Sequence, residues 1–192
     1  MLPLLLASSS VYRRELLARL GLPFVCDSPD IDESHRAGEA ALELVKRLAR
    51  EKAFALADRY PAHLIIGSDQ VAVLGERILG KPHTFENARE QLLAASGTKV
   101  TFLTGLALLN SQTGACQVDC VPFTVTMRTL DQARVERYLR TEQPYDCAGS
   151  FKAEGLGVSL FQRTEGPDAT SLVGLPLIRL VDMLLVEGVE VP

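Results

Sequence analysis

Short apolar segments alternate with amphipathic helical patterns along most of the chain, and this alternation limits the fold more than any other feature. PLLLAS at 3–8 is typical of a buried strand. VYRRELLARLG at 11–21 follows it and has leucines at the spacing of a helix. ALELVKRLAREKAFALADRY at 41–60 predicts the clearest helix, and LIIGSDQVAVL at 64–74 predicts a central strand. Strands that alternate with helices predict an α/β fold.

The second half of the chain adds an antiparallel pattern. In VPFTVTMRTL at 121–130, apolar residues alternate with threonines, as on a half-exposed antiparallel strand. GERILGKP at 75–82 predicts a turn and a returning segment. We therefore expect a mixed central sheet with helices on both sides. Because no repeat or long linker is visible, we expect one fold over 1–192, with two lobes around a cleft.

The remaining segments complete this prediction. We expect loops at 28–40 and 147–157. We expect strands at 23–27, 99–110 and 158–163, and helices at 85–96 (capped by Thr84), 131–141 and 172–188.

Charge and cysteine usage exclude several classes of protein. The formal net charge is −4, so nothing global favours nucleic acid or acidic membranes, and an anion site requires a local cluster of cations. No apolar stretch reaches membrane-spanning length, and no signal peptide pattern is visible. The cysteines lack zinc-site spacing and are expected as free thiols. We expect a soluble cytoplasmic protein.

The first strand-to-helix junction suits an anion. Backbone N–H groups at a helix start favour negative charge, and Ser8 and its two following serines add hydroxyl groups. Arg13 and Arg14 fall in the first helical turn, where the helix dipole disfavours cations. They are either solvated charges on a capped surface helix or ligands of a phosphate, and this stretch alone leaves both open.

Two charged residues interrupt apolar patterns. Lys52 lies on the apolar stripe of the long predicted helix, which favours an anionic partner over a side chain that reaches the surface. Asp69 interrupts a central strand just after Gly67, a residue that suggests close approach of a backbone or ligand. Asp69 is expected to bind metal or act in catalysis, and the alternative is a structural ion pair with Lys52 or Lys81.

Weaker signals complete the set. Glu33 lies in an acidic loop with Asp30 and Asp32 that is able to hold a hard divalent cation. Lys81 lies in a turn, and Glu154 lies in a glycine-rich loop suited to contact with a ligand. Cations for a polyphosphate, combined with carboxylates for a metal and a water, predict metal-assisted hydrolysis of a phosphoanhydride.

Nearly end to end, the sequence resembles the Maf family of nucleoside triphosphate pyrophosphatases. The order and spacing of several motifs carry the resemblance: ASSSVYRRELL at 7–17, DESHR at 32–36, EKA at 51–53, GSDQV at 67–71, GKP at 80–82, TGLAL at 104–108 and AGSFKAEG at 148–155. The family implies an elongated α/β fold with a mixed sheet and a deep cleft, similar to inosine triphosphate pyrophosphatases. It also implies hydrolysis of a nucleoside triphosphate to the monophosphate and pyrophosphate, with Mg²⁺, Mn²⁺ or Co²⁺.

The resemblance assigns roles by position. Asp69 matches the proposed proton acceptor and, with Glu33, a metal-associated position. The phosphate-binding positions are matched by Ser8, Arg13, Arg14, Lys52 and Lys81. Tyr12, Gln70 and Glu154 match the branch of the family that acts on 7-methyl-GTP.

The expected function is removal of modified nucleotides, with a small nucleotide substrate and neither nucleic acid nor membrane as partner. The oligomeric state is left open, with a homodimer as one option. Two alternatives remain: a dTTP/UTP pyrophosphatase of the sister branch, and a nucleotide-binding regulator of septum formation with little turnover.

Overall fold

The computed structural model describes residues 2–191 and divides the chain into two compact units. Unit 1 comprises Met1–Asp69, Thr104–Val121 and Asp168–Pro192, and unit 2 comprises Gln70–Leu103 and Pro122–Pro167. The single domain over 1–192 and the cleft between lobes stay predictions.

The described residues form a mixed α/β fold, as predicted. Its seven-stranded sheet has the strand order β2-β1-β3-β5-β6-β7, and β4 pairs with β3. The strands are β1 (Leu4–Ala7), β2 (Phe24–Asp27), β3 (Leu64–Leu74), β4 (Arg77–Leu79), β5 (Lys99–Asn110), β6 (Cys116–Met127) and β7 (Phe161–Glu165). The helices are α1 (Val11–Ala18), α2 (Ala41–Phe54), α3 (Phe85–Ala95), α4 (Gln132–Glu142), α5 (Ala169–Val173) and α6 (Leu177–Val186).

Within unit 1, β1 pairs in parallel with both β2 and β3, and the two crossover helices lie on opposite faces of the sheet. Leu16 of α1 packs with Leu4 and other even-numbered residues of β1 and β3. Ala49 of α2 packs with Leu5 and other odd-numbered residues of the same strands. Since successive strand residues point to opposite faces, α1 and α2 cover the two faces of this part of the sheet.

Two glycines let α2 approach the sheet closely. A Cβ atom at Gly67 of β3 would collide with the carbonyl oxygen of Ala49, and one at Gly105 of β5 would collide with that of Val45. Both collisions involve helix backbone, which cannot move aside as a side chain would. The close backbone approach predicted at Gly67 is confirmed, and it fixes the height of α2 above the strand that carries Asp69.

Gly67→Ala should destabilise the protein by about 1–3 kcal/mol, the usual cost of forcing extra volume into a packed interior. Urea unfolding followed by circular dichroism measures the change. Gly80→Ala is the matched control, because nothing lies within 4 Å of the position where its Cβ would be. Equal unfolding midpoints for the two variants would contradict the packing argument.

Unit 2 has its own aromatic packing. The rings of Phe102 and Phe161 each pack edge-on against Phe151, with ring centroids 5.1 and 4.8 Å apart. β7 pairs antiparallel with β6, with an irregularity between Thr126 and Met127. These contacts bring β5, β7 and the segment after α4 together within the unit.

Most predicted elements are confirmed, including the loop at 28–40 and the Thr84 cap, whose hydroxyl accepts a hydrogen bond from the Asn87 N–H at 3.2 Å. The following boundaries were wrong. The long helix ends at Phe54 rather than at residue 60, and β6 begins at Cys116, before the predicted alternation. The strand predicted at 158–163 begins at Phe161, after a 3₁₀ turn over Leu156–Leu160.

The predicted final helix at 172–188 is in fact two helices, α5 and α6. Gly174 interrupts it with φ 123°, a backbone conformation that side chains disfavour, and Pro176 then caps the start of α6. Within residues 2–191, no helix is long and apolar enough to cross a membrane.

Candidate active site

A buried lysine joins two carboxylates just beyond the part of β3 that pairs in parallel with β1. The Lys52 Nζ atom lies 2.7 Å from Oδ1 of Asp69 and 3.0 Å from Oε1 of Glu33. The side chains of Lys52 and Asp69 are only 8% and 11% exposed, whereas that of Glu33 is 58% exposed. The anionic partner predicted for Lys52 is therefore confirmed. Asp69 forms the ion pair with Lys52 that was the alternative to a role in metal binding or catalysis.

The local structure explains why Lys52 is buried. It lies in the last turn of α2, where the helix dipole favours a cation, and one turn beyond Ala49 on the face packed against the sheet. Its charge is taken out of water, which is costly unless a partner compensates. Asp69, on the strand beneath, supplies that compensation through a charge-assisted hydrogen bond.

Arg13 joins the same cluster. Its Nε–H donates to the carbonyl oxygen of Gly174 at 2.8 Å. Burial lowers the pKa of Arg13, and the negative charges of Asp69 and Glu33 oppose that shift. A guanidinium remains charged throughout the physiological pH range, so two cations and two carboxylates are gathered at one place.

The Gly174 carbonyl that orients Arg13 is itself held by the sheet. The Ser68 hydroxyl lies 3.0 Å from this carbonyl oxygen and 2.9 Å from that of Gly105. The Thr104 hydroxyl donates to the Ser171 carbonyl at 2.8 Å, which fastens the preceding turn. This support was not predicted from the sequence, where its signal is the polar Ser68 and Thr104 within apolar strand patterns.

The other predicted residues of the strand-to-helix junction take different positions. Ser8 is buried, and its Oγ accepts a hydrogen bond from the Ser10 N–H at 3.1 Å. Ser10 is the N-cap of α1. Tyr12 is half-buried in the first turn of that helix. Arg14 is exposed. Burial raises the pKa of the Cys26 thiol, and the positive charge of Arg14 opposes that shift.

Three predicted site residues belong to unit 2. Gln70 follows Asp69 on β3, so its side chain points to the opposite face of the strand. Lys81 is exposed in the loop after β4, and α3 holds this loop: the Asn87 side chain donates to the Pro82 carbonyl at 2.9 Å. Glu154 is exposed in the loop that precedes the 3₁₀ turn.

Arg47 clamps the acidic loop that carries Glu33 onto α2. Its guanidinium donates two parallel hydrogen bonds to the Glu39 carboxylate, a third to the Ser34 carbonyl at 3.0 Å and a fourth to Glu51 at 3.0 Å. This clamp was not predicted from the sequence, where only the spacing of Arg47 and Glu51 forms a local pattern. The clamp limits where Glu33 is able to move.

The clamp makes stability depend on pH. Hydrogen bonds from Arg47 lower the pKa of Glu39 from 4.5 to about 2. Because the pKa is depressed in the folded state, this stabilisation is present above the unfolded value and is lost as pH falls toward the folded one. Glu39→Gln should therefore lower the urea midpoint at pH 7, and the difference from wild type should shrink on acidification. Glu43→Gln, on an exposed position of α2, is the control. A difference that is constant from pH 7 to acid would contradict this assignment.

The donor set fits a metal ion that arrives with phosphate. In residues 2–191, no group of three or more histidine, cysteine, aspartate or glutamate side chains is arranged to hold a metal. Asp69 and Glu33 nevertheless converge on one cation, the Lys52 ammonium. Mg²⁺ is usually bound by one or two carboxylates together with substrate phosphates, and these two carboxylates meet that requirement.

The fold and the cluster define a class of protein. Cations and carboxylates gathered beside the parallel strands of a mixed α/β sheet are typical of α/β proteins that bind phosphate. The chain belongs to the Maf-like protein family, whose match covers residues 3–186.

Similar proteins extend over the whole chain. A protein of Pseudomonas fluorescens strain Pf0-1 is 86% identical over 192 residues, which cover 100% of both chains. One from Pseudomonas aeruginosa is 73% identical over 189 residues, 98% of each chain. One from Alcanivorax borkumensis is 60% identical over 189 residues, 98% of this chain and 96% of that protein. All three are named 7-methyl-GTP pyrophosphatase.

Proposed function

We propose that this protein is a nucleoside triphosphate pyrophosphatase that hydrolyses 7-methyl-GTP to 7-methyl-GMP and pyrophosphate. The observation that carries the proposal is the buried Lys52 bound to Asp69 and Glu33 beside Arg13. Full-length relatives that carry the name of this activity support it. Removal of a modified nucleotide in the cytoplasm is the proposed role, carried out by one functional domain over 1–192.

Asp69 is proposed as the group that receives the proton. A water attacks the α-phosphorus, the bond from that phosphorus to the oxygen bridging to the β-phosphorus breaks, and pyrophosphate leaves with that oxygen. The attacking water gives one proton to Asp69, whose carboxylate is oriented by the hydrogen bond from Lys52. General base catalysis of this kind contributes about 10²–10⁴-fold in rate.

The cations are proposed to spread the charge of the triphosphate. Arg13, Arg14, Lys52 and Lys81 supply donors for phosphate oxygens, with Ser8 as an additional hydroxyl. Lys52 pairs with two carboxylates, and in this proposal its ammonium also neutralises part of the negative charge that an arriving phosphate brings. Preorganised cations of this kind stabilise charge that develops in the transition state.

Glu33 and Asp69 are the residues that would hold a divalent metal ion. Such an ion supplies charge neutralisation to the phosphate oxygens when bound. Glu33 is accessible to such an ion, since its side chain is 58% exposed.

Base selection is proposed for Tyr12, Gln70 and Glu154. Methylation at N7 gives guanine a delocalised positive charge, and a tyrosine face attracts such a ring by about 0.5–2 kcal/mol. A carboxylate at Glu154 is able to accept hydrogen bonds from the N1–H and the N2 amino group of guanine. These two contacts favour 7-methylguanine over a pyrimidine, whose hydrogen-bonding edge presents both donors and acceptors.

A turnover panel tests the proposal. Pyrophosphate release is measured for 7-methyl-GTP, GTP, dTTP and UTP, with and without Mg²⁺, Mn²⁺ and Co²⁺. The proposal requires the highest kcat/KM for 7-methyl-GTP, and Tyr12→Ala and Glu154→Gln should each reduce that preference. Preference for dTTP and UTP would assign the sister activity instead. Binding without turnover would favour a regulatory role. Light scattering would show whether the protein is a homodimer.

A further inference from the structure

Glu142, the last residue of α4, holds the loop that carries Glu154 from both sides. Its Oε2 accepts a hydrogen bond from the Leu156 N–H at 2.7 Å, and its Oε1 lies 3.6 Å from the Nζ of Lys152. A Cβ atom at Gly155 would lie 2.8 Å from both carboxylate oxygens, so the backbone of this residue rests directly on the carboxylate. The residues that make these three contacts lie on both sides of Glu154 in the sequence.

A second contact from α4 fixes the start of this loop. Tyr138 lies one turn before the end of the helix and is only 3% exposed. Its hydroxyl accepts a hydrogen bond from the Lys152 N–H at 3.0 Å. Burial raises the pKa of Tyr138, which keeps the hydroxyl neutral. The contact therefore depends on hydrogen bonding rather than on charge.

The loop also closes on itself. The carbonyl oxygen of Lys152 accepts hydrogen bonds from the N–H groups of Gly155 and Gly157, at 3.2 and 3.0 Å. A Cβ atom at Gly157 would collide with the same carbonyl, so the turn requires glycine there. Residues 152–157 form a tight turn fastened to α4, with the exposed Glu154 between its anchors.

We propose that Glu142 is a positioning residue for substrate selection, which fixes the turn at 152–157 so that Glu154 meets the substrate base in one orientation. The inference rests on the proposed function, in which Glu154 reads the guanine edge. A glutamate on an untethered turn loses conformational freedom on binding, and that loss weakens affinity. Since the turn carries none of the groups proposed to act on the phosphates, loss of the Glu142 contacts should change KM and selectivity rather than kcat.

Steady-state kinetics of three variants with 7-methyl-GTP and GTP tests this role. Glu142→Ala should raise KM for 7-methyl-GTP by up to about ten-fold, the cost of ordering one freed side chain on binding, while kcat stays near the wild-type value. Glu142→Gln keeps an oxygen for the Leu156 N–H and loses the charge facing Lys152, so its effect should be intermediate. Glu136→Gln is the matched control, because it removes a carboxylate of α4 that pairs with Arg140 and Arg89 and does not contact the turn at 152–157.

Two further measurements separate positioning from simple structural support. Hydrogen exchange of residues 152–157 should be faster in Glu142→Ala and unchanged in Glu136→Gln. In a Glu154→Ala background, Glu142→Ala should cause no further loss of selectivity, because the two residues act through one contact.

The outcomes are distinguishable. Unchanged selectivity in Glu142→Ala, or an equal fall of kcat for both nucleotides, would overturn the inference and leave the proposed function intact. Should Glu142→Ala fail to fold, Glu142→Gln carries the same comparison. A wild-type enzyme without preference for 7-methyl-GTP would overturn the proposed function and this inference together.

Discussion

Asp69→Asn should reduce kcat for pyrophosphate release by at least about 100-fold, the lower end of the contribution of a general base. The asparagine side chain has nearly the same shape as aspartate and keeps an oxygen that is able to accept from Lys52. It carries no charge and does not take up a proton from water near neutral pH. The variant should therefore bind nucleotide and fold, and should fail at the chemical step.

The measurement is pyrophosphate release under saturating 7-methyl-GTP, with nucleotide affinity measured separately by calorimetry. Asp58→Asn is the matched control, because it removes an exposed aspartate shortly after α2. Near-wild-type turnover of Asp69→Asn would mean that another group receives the proton. A loss of folding, seen by circular dichroism, would assign Asp69 a structural role first.

The sequence predicts the central sheet well because its strands and helices have clear periods. β3 and the close approach at Gly67 follow from an apolar run interrupted by a glycine and a carboxylate. The break at Gly174 was missed, because the residues around it continue an apolar pattern that suits one long helix. Local periodicity does not reveal that this carbonyl is needed to orient Arg13.

The candidate site is predictable where a charge violates an apolar pattern. Lys52 and Asp69 were identified in this way, and the structure places them in contact. The clamp by Arg47 on Glu39 and the hold of Glu142 on its loop were not predictable, since both join residues whose individual patterns are ordinary for helix surfaces and loops. Contacts between separate segments require the folded chain.

Lys52→Met should destabilise the protein by about 3–5 kcal/mol, the usual cost of leaving one partner of a buried ion pair uncompensated. Methionine fills a similar volume without charge, so the cost comes from Asp69, whose side chain is only 11% exposed. Urea unfolding measures the loss. Lys46→Met, on the same helix, is the control and should unfold close to wild type.

A double-mutant cycle identifies the source of this loss. If an uncompensated Asp69 carboxylate causes it, then Asp69→Asn introduced into Lys52→Met should restore much of the stability, because the pair is coupled. Activity should not return, since both the proton acceptor and a phosphate-binding cation are then absent. Lys52→Arg keeps the charge and should retain more stability than Lys52→Met. Additive losses in the cycle would show that the two side chains do not depend on each other. Lys52 would then be retained for phosphate binding alone, and the buried ion pair would have no part in orienting the Asp69 carboxylate before substrate arrives.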